Sequence, residues 1–403
     1  MGEHLIAVGD RISAGSIGEP KSKGFLYQQG RYVKKDSPRA VSKNFVSGPE
    51  PIRILHLSDL HIEKESDITL ILQPLIDDIK NKSDGIGIER IDYVVISGDL
   101  INSAGVVKFK NALEFIYRLL KEFNLNKDRC IIAPGNHDLH WDKQGIYDSK
   151  FNKNIDFSNL KVGSYSVQGS TIQIKNKDKY ETRFEEFSLD LYKELFGKPY
   201  PLDSKIQFDN VLFHDTRIQF LALNSCYEID CYSPKNSGIS SEALAEALMK
   251  ANSEIEKAKE TESSKDKPTF RIAVWHHPVS GIDALRSTDF MEKLRTNEFK
   301  ICLHGHSHKD QHELFYYLYH NKIYVIGAGT SGVHVKDRPS CSPYEYNLLE
   351  IDRDFSKVKV HTRCKRTETG AWEGWALWPA QGLTKFERRT YYEIEFDGLA
   401  YAE

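Results

Sequence analysis

Long apolar runs are missing from this sequence, so no segment is expected to span a bilayer. The first residues, MGEHLIAVGDR, lack the basic start and apolar core of a secretory signal. Ile6 also breaks the myristoylation pattern, which needs Ser or Thr at that position. Excess charge is missing too. The net charge of -3 gives no general attraction to nucleic acid or to an anionic membrane. Cysteines are few: six in 403 residues, none in a Cys-x-x-Cys pair. With no export signal, reduced thiols and a cytoplasmic protein are expected. Cys130 and Cys302 lie in apolar runs and read as small buried residues.

What is present is an ordinary soluble composition, 40% apolar and 28% charged, in a length that suits one large α/β domain with additions. Residues 1–50 are rich in Gly, Ser, Lys and Pro without a sustained period, which predicts an arm that is disordered or wrapped on the core. From Pro51 to residue 335, apolar runs alternate with helix-period segments. Strands are expected at 52–58, 91–97, 130–134, 210–225, 270–275 and 300–305, and helices at 66–82, 106–123, 240–260 and 284–296. This alternation predicts an α/β core with parallel pairing. The regularity fails over 141–207, a Tyr- and Phe-bearing insertion with one expected helix at 182–196, which reads as a lid or specificity element. The runs LFYYLY and KIYVIGAG suggest a hairpin. Residues 336–403 read as a β-rich extension packing on the core.

The polar clusters have a common position. Five apolar runs stop at Asp59-Leu60-His61, Gly98-Asp99, Gly135-Asn136-His137-Asp138, His276-His277-Pro278 and His304-Gly305-His306-Ser307-His308. In open α/β sheets, ligands bind beyond the carboxyl ends of the strands, so the five clusters should converge there. Imidazole, carboxylate and amide without thiolate suit Zn, Mn, Fe or Co at an open site rather than a closed structural zinc. The set is too large for one ion. Two divalent ions about 3.5–4 Å apart, sharing a carboxylate, form a clamp for phosphoryl transfer.

In this order the motifs D-x-H, G-D, G-N-H-D, H-x-P and G-H-x-H resemble the calcineurin-like metallophosphoesterases over roughly residues 52–330. The resemblance implies a four-layer αββα sandwich of two mixed sheets flanked by helices, with a two-metal centre at the carboxyl ends of the strands. It implies that Asp59, His61 and His308 hold one ion, that Asn136, His276 and His306 hold the other, and that Asp99 bridges them. His137 is then the general acid or charge stabiliser beside the phosphate, and Asp138 its orienting partner. A water bridging the ions would attack phosphorus in line.

LSDLHI and WHHPVS look closer to the cyclic-nucleotide and general phosphodiesterase branch than to protein phosphatases. The expected substrate is therefore a phosphodiester, small or nucleotide in kind. An Mre11-like nuclease and a non-catalytic nucleotide-binding or scaffold protein are the alternatives. His56 reads as a core histidine, and His277 and His304 as neighbours of ligands. In the tail, Lys357, Lys359, His361, Arg363 and Lys365 alternate along one strand face, either a solvated outer face or an anion-binding surface. Trp372, Trp375 and Trp378 read as packing, as an interface or as a base-stacking platform.

Overall fold

A computed structural model of the chain describes residues 25–28, 31–34, 50–102, 108–151, 153, 155–161, 163–261, 268–306, 322–333, 342–376, 378–379 and 388–396. The chain divides into two compact units, Met1–Gly48 and Pro49–Glu403. In the first, β1 (Phe25–Gln28) and β2 (Arg31–Lys34) pair antiparallel. The rest of the expected arm over 1–50 lies outside the described residues.

The second unit opens with β3 (Ile52–Leu57), α1 (Glu65–Lys80), β4 (Tyr93–Ser97), α2 (Lys110–Glu122) and β5 (Cys130–Ala133). The insertion carries β6 (Tyr147–Phe151), β7 (Tyr165–Gln168), β8 (Thr171–Lys175) and the short α3 (Glu194–Phe196). Then come β9 (Phe208–Phe213), β10 (Ile218–Leu223), α4 (Ser241–Thr261), β11 (Phe270–Val274), α5 (Phe290–Thr296), β12 (Phe299–His304) and β13 (Tyr324–Gly327). The tail supplies β14 (Tyr344–Ile351), β15 (Lys357–Lys365), β16 (Glu373–Gly374), β17 (Trp378–Pro379), β18 (Arg388–Arg389) and β19 (Tyr391–Glu395).

Two mixed sheets form the middle layers. The first has the order β16-β15-β14-β3-β4-β5, with β19 also on β15, and the second the order β13-β12-β11-β10-β9. β3, β4 and β5 run parallel, as do β10 to β13, while β14 and β9 join antiparallel. Side chains sort by the two-residue period of a strand. Ile52, Ile54, Tyr93 and Val95 meet Phe220, Ile272 and Leu303 between the sheets. Leu55, Leu57, Val94 and Ile96 point the other way, onto Ile68, Leu75 and Ile79 of α1 and Phe115, Ile116 and Leu119 of α2. Across the molecule Leu221, Ala273 and Cys302 pack on Leu244 and Ala247 of α4 and Met291 and Leu294 of α5. The central strands are buried on both faces, which is why they read as unbroken apolar runs. The layers are thus helix, sheet, sheet, helix, as the resemblance implied.

Several local expectations need correction. Over 182–196 there is no single α-helix. A 3₁₀ turn (Tyr180–Phe184), a π-helical run (Phe187–Lys193) and α3 follow each other. This path puts Phe187, Leu191, Tyr192 and Leu195 into one core cluster. The helix expected at 284–296 starts only at Phe290. β13 pairs parallel with β12 rather than in a hairpin, and LFYYLY lies outside the described residues. The tail does more than pack on the core, because β14 lies between β15 and the site-bearing β3.

The basic face of β15 is covered. Lys357 pairs with Glu393, and Lys359 lies over the Tyr391 ring. His361 bonds Glu350, Arg363 pairs with Asp78, and Lys365 donates to the Glu368 carbonyl. This accounts for the alternation without an anion-binding surface. Two of the tryptophans are packing residues: Trp372 meets Tyr346 edge-on, and Trp378 lies tilted against Tyr392.

Candidate metal centre

The loops after β3 and β4 lie side by side. Asp59 N–H donates to the Gly98 carbonyl at 3.1 Å, His61 to Asp99 at 3.1 Å and Ile62 to Leu100 at 2.9 Å. This pairing holds three non-glycine residues in left-handed backbone, with φ of 52° at Asp59, 46° at His61 and 54° at Asp99. His306 joins them at φ 66°. Each such residue costs of order 1 kcal/mol, so the hydrogen bonds of the surrounding loops must offset the strain. Two glycines are needed for contact rather than for φ. A methyl at Gly135 would overlap Asp99 Oδ1 and the Asp99 amide, and one at Gly305 would overlap Ser58 Oγ.

Six of the seven expected ligands come together. His276 Nε2 lies 3.0 Å from Asn136 Oδ1, 3.1 Å from His306 Nδ1 and 3.2 Å from Asp99 Oδ2. His61 Nε2 lies 3.7 Å from the same Asp99 oxygen and 3.8 Å from Asp59 Oδ1. The other Asp59 oxygen accepts the His306 amide at 2.9 Å and the Ser58 hydroxyl at 2.5 Å. The seventh, His308, lies outside the described residues.

Whether these groups fit a cation can be tested on their protons. His276 Nδ1 is 2.7 Å from the Ser97 carbonyl, which only accepts, so the neutral ring donates there and keeps a lone pair on Nε2. That lone pair meets a carbonyl oxygen, a carboxylate oxygen and a second imidazole nitrogen. Among the described residues no group other than His276, once protonated, could donate to the buried Asp99 Oδ2. With His276 neutral, its Nε2 lone pair converges with oxygens of Asn136 and Asp99, which suits a cation, and Asp59, Asp99, His276 and His306 each offer an atom within 4.8 Å of the others. The electrostatics show the same demand for positive charge, which a proton on His276 also meets. Burial alone would raise the Asp99 pKa and lower that of His276. Their mutual attraction overrides it, holding Asp99 well below the usual carboxylate range and lifting His276 to about 9.

His137 sits at the rim, its ring edge-on to His61 with centroids 4.7 Å apart. Its amide donates to Asp99 Oδ1 at 2.8 Å, and its Nδ1 to the Asn102 carbonyl at 3.0 Å. Asp138 does not orient it. Both carboxylate oxygens of Asp138 accept backbone amides, from Leu100 at 2.9 Å, Ile101 at 3.3 Å and Gly135 at 2.9 Å. Burial and the nearby Asp99 charge push this carboxyl up to about 7, while the three amides favour the anion. Asp138 fastens the loop after β5 to the loop after β4.

His56 is a core histidine as expected, fully buried, with Nε2 2.9 Å from Ser97 Oγ. His277 is buried with Nδ1 2.9 Å from Ser225 Oγ, and the His304 Nδ1 faces the Gly305 carbonyl at 2.9 Å. The reading of the sequence missed Ser97, whose carbonyl sets the His276 proton. It also missed Asn102, whose Oδ1 lies 3.0 Å from His61 Nδ1. The only signal for Asn102 is its place three residues after Asp99.

The sequence model described as calcineurin-like phosphoesterase matches residues 52–310. An uncharacterized metallophosphoesterase-like protein of Bacillus subtilis (strain 168), YydB, is 20% identical over 327 residues, covering 80% of this chain and 61% of that one. The chain thus spans about 61% of that relative's length. Among solved structures, GAP50 of Plasmodium matches at 13% identity and TM-score 0.35, over 78% of this chain and 85% of that one. A single mutant of Vps29 from Entamoeba histolytica matches at 12% identity and TM-score 0.29, over 80% and 97%. Similarity this low to the solved structures bears on neither substrate nor activity.

Proposed function

Because the chain belongs to the calcineurin-like phosphoesterases, we propose that it is a metal-dependent phosphodiesterase acting on a small or nucleotide diester. One observation carries this reading: His276 Nε2 lies within 3.2 Å of Asn136, His306 and Asp99, inside a cluster of Asp and His atoms able to hold an ion. Asn136, His276 and His306 would hold one divalent ion. Asp59 and His61, with His308, would hold a second, and Asp99 would face both. Such ions supply charge for the phosphoryl oxygens and acidify a water.

The chain's own groups do the rest. Asp99 Oδ1 is fixed by the His137 amide, which leaves Oδ2 for the cations. His137 gives its Nδ1 proton to the Asn102 carbonyl, so Nε2 carries a proton only in the charged ring. A ring able to protonate a leaving alkoxide therefore also brings positive charge to the phosphoryl group. The net charge of -3 and the covered basic face of β15 give no support to a long nucleic-acid substrate.

The test is a turnover screen with Mn and Zn supplied separately. It compares bis-p-nitrophenyl phosphate, p-nitrophenyl phosphate, cyclic nucleotides, and single- and double-stranded DNA. Diester turnover above monoester turnover, abolished by a chelator, is expected. Faster monoester hydrolysis, or none with either metal, would overturn the reading.

A further inference from the structure

Asn102 and Glu63 lie outside the ligand set, yet they sit against it. Asn102 Oδ1 faces His61 Nδ1 at 3.0 Å. The Asn102 amide nitrogen donates to Glu63 Oε1. The Glu63 backbone is itself pinned. Its amide donates to Asp67 Oδ2 at 3.0 Å, and its carbonyl accepts Asn111 Nδ2 at 2.9 Å. Asn111 and Asp67 belong to the first turns of α2 and α1. The exposed Glu63 carboxylate is therefore carried to Asn102 by two helices rather than by chance.

The chemistry of this chain of contacts runs one way. A carboxylate only accepts, so Glu63 can bind only the NH₂ end of the Asn102 side chain. The oxygen end is then turned to His61. An oxygen there requires a proton on Nδ1, and a neutral ring with its proton on Nδ1 keeps its lone pair on Nε2. His61 Nε2 is the atom aimed at Asp59 Oδ1 and Asp99 Oδ2, at 3.8 and 3.7 Å. We infer that Glu63 and Asn102 are positioning residues that select the metal-binding tautomer of His61, with Glu63 setting the amide and the amide setting the ring. This inference rests on the proposed metal centre.

Hydrogen-bond partners of a metal-bound imidazole typically change metal affinity by about 10–100-fold when removed. The experiment measures Mn and Zn binding to the full chain by calorimetry, with circular dichroism to check folding. Asn102→Ala, which removes the acceptor, should weaken one of the two ions by about 10–100-fold. Asn102→Asp keeps an acceptor for His61 but faces the Glu63 carboxylate with no donor between them, so it should bind more weakly than the same change paired with Glu63→Lys. Glu63→Gln offers both an acceptor and a donor and no longer fixes the amide, so it should bind between the wild type and Glu63→Lys. Glu63→Lys offers only donors. It should draw the amide oxygen to itself, turn the NH₂ towards His61 and weaken binding as Asn102→Ala does.

The double variant Asn102→Asp/Glu63→Lys decides the matter. Its carboxylate has no wrong end to present, so affinity should return. A merely structural role for either residue gives no such recovery. Wild-type affinity in Asn102→Ala, or a double variant as weak as Glu63→Lys, would overturn the inference and leave the metal centre standing. A wild-type protein that binds neither metal would overturn both.

Discussion

Asp99 divides its two oxygens between different tasks: Oδ1 takes the His137 amide, and Oδ2 faces His276 and His61. Asp99→Asn should therefore lose metal and turnover together. Full metal content with wild-type turnover in that variant would remove the bridging assignment. His137 is different, because the ring sits at the rim with Nδ1 on a backbone carbonyl. His137→Ala should keep the metal content and lose kcat by about a hundredfold. The loss should be larger for a nucleotide or alkyl leaving group than for nitrophenolate, which barely needs a proton. Comparing kcat on both substrates checks this, and loss of metal would make His137 a ligand. Seven ligand candidates were legible at this scale because Asp, Asn and His stand at the ends of apolar runs and match the family's motifs. Asn102 and Glu63 were not, since their meaning depends on which loop lies beside which. The role expected for Asp138 was misread for the same reason: adjacency to His137 in sequence does not decide where its carboxylate points.

Between elements, charged groups do the fastening. Arg363 on β15 pairs with Asp78 on α1, its Nε 2.8 Å from Asp78 Oδ2, and the Tyr346 hydroxyl of β14 joins the same oxygen at 2.5 Å. Both ions are buried, with side chains 8% and 5% exposed, so removing one partner strands the other. Asp78→Ala should cost about 3–5 kcal/mol in urea unfolding. Replacing both residues, as Asp78→Leu with Arg363→Met, should cost less than the single change; an equal or greater loss would mean that the pair itself stabilises. A second tie has a pH signature. Glu350 is held by His361 and, from β3, by Arg53, each at 3.0 Å, which lowers its pKa from an ordinary 4.5 to about 2. The folded value is below the unfolded one, so this contribution is present above pH 4.5 and lost as pH falls towards 2. Glu350→Gln should flatten the fall of stability over that window, and an unchanged slope would remove Glu350 as its source. The alternation along β15 was readable in the sequence, but not that Glu350, Asp78 and Glu393 would meet it.

At the scale of the whole molecule, the insertion over 141–207 is tied to the site at its first residue, where the Trp141 indole donates to the Asn136 carbonyl at 2.6 Å. Further on, the buried Arg183 donates to the carbonyls of Tyr180, Tyr227 and Ile229. Its strands β6, β7 and β8 form a separate antiparallel sheet. Replacing 147–175 by a short linker, with Trp141 and Arg183 kept, should leave hydrolysis of a small generic diester and change the ranking of larger substrates. An unchanged ranking would remove the insertion from specificity. The sequence by itself determined an α/β core with polar strand ends and, through its resemblance to a family, implied the layer architecture and the composition of the centre. Strand and helix periods are local, and polar residues that end parallel strands gather at the carboxyl ends of those strands, although β3 to β5 and β11 to β12 lie in two sheets. Only the tertiary structure decided the rest. It placed β14 beside β3, and it set the His276 proton through a carbonyl 179 residues away. A neutral ring keeps its lone pair on the nitrogen opposite the one that donates, and that donated bond forms only when distant segments pack.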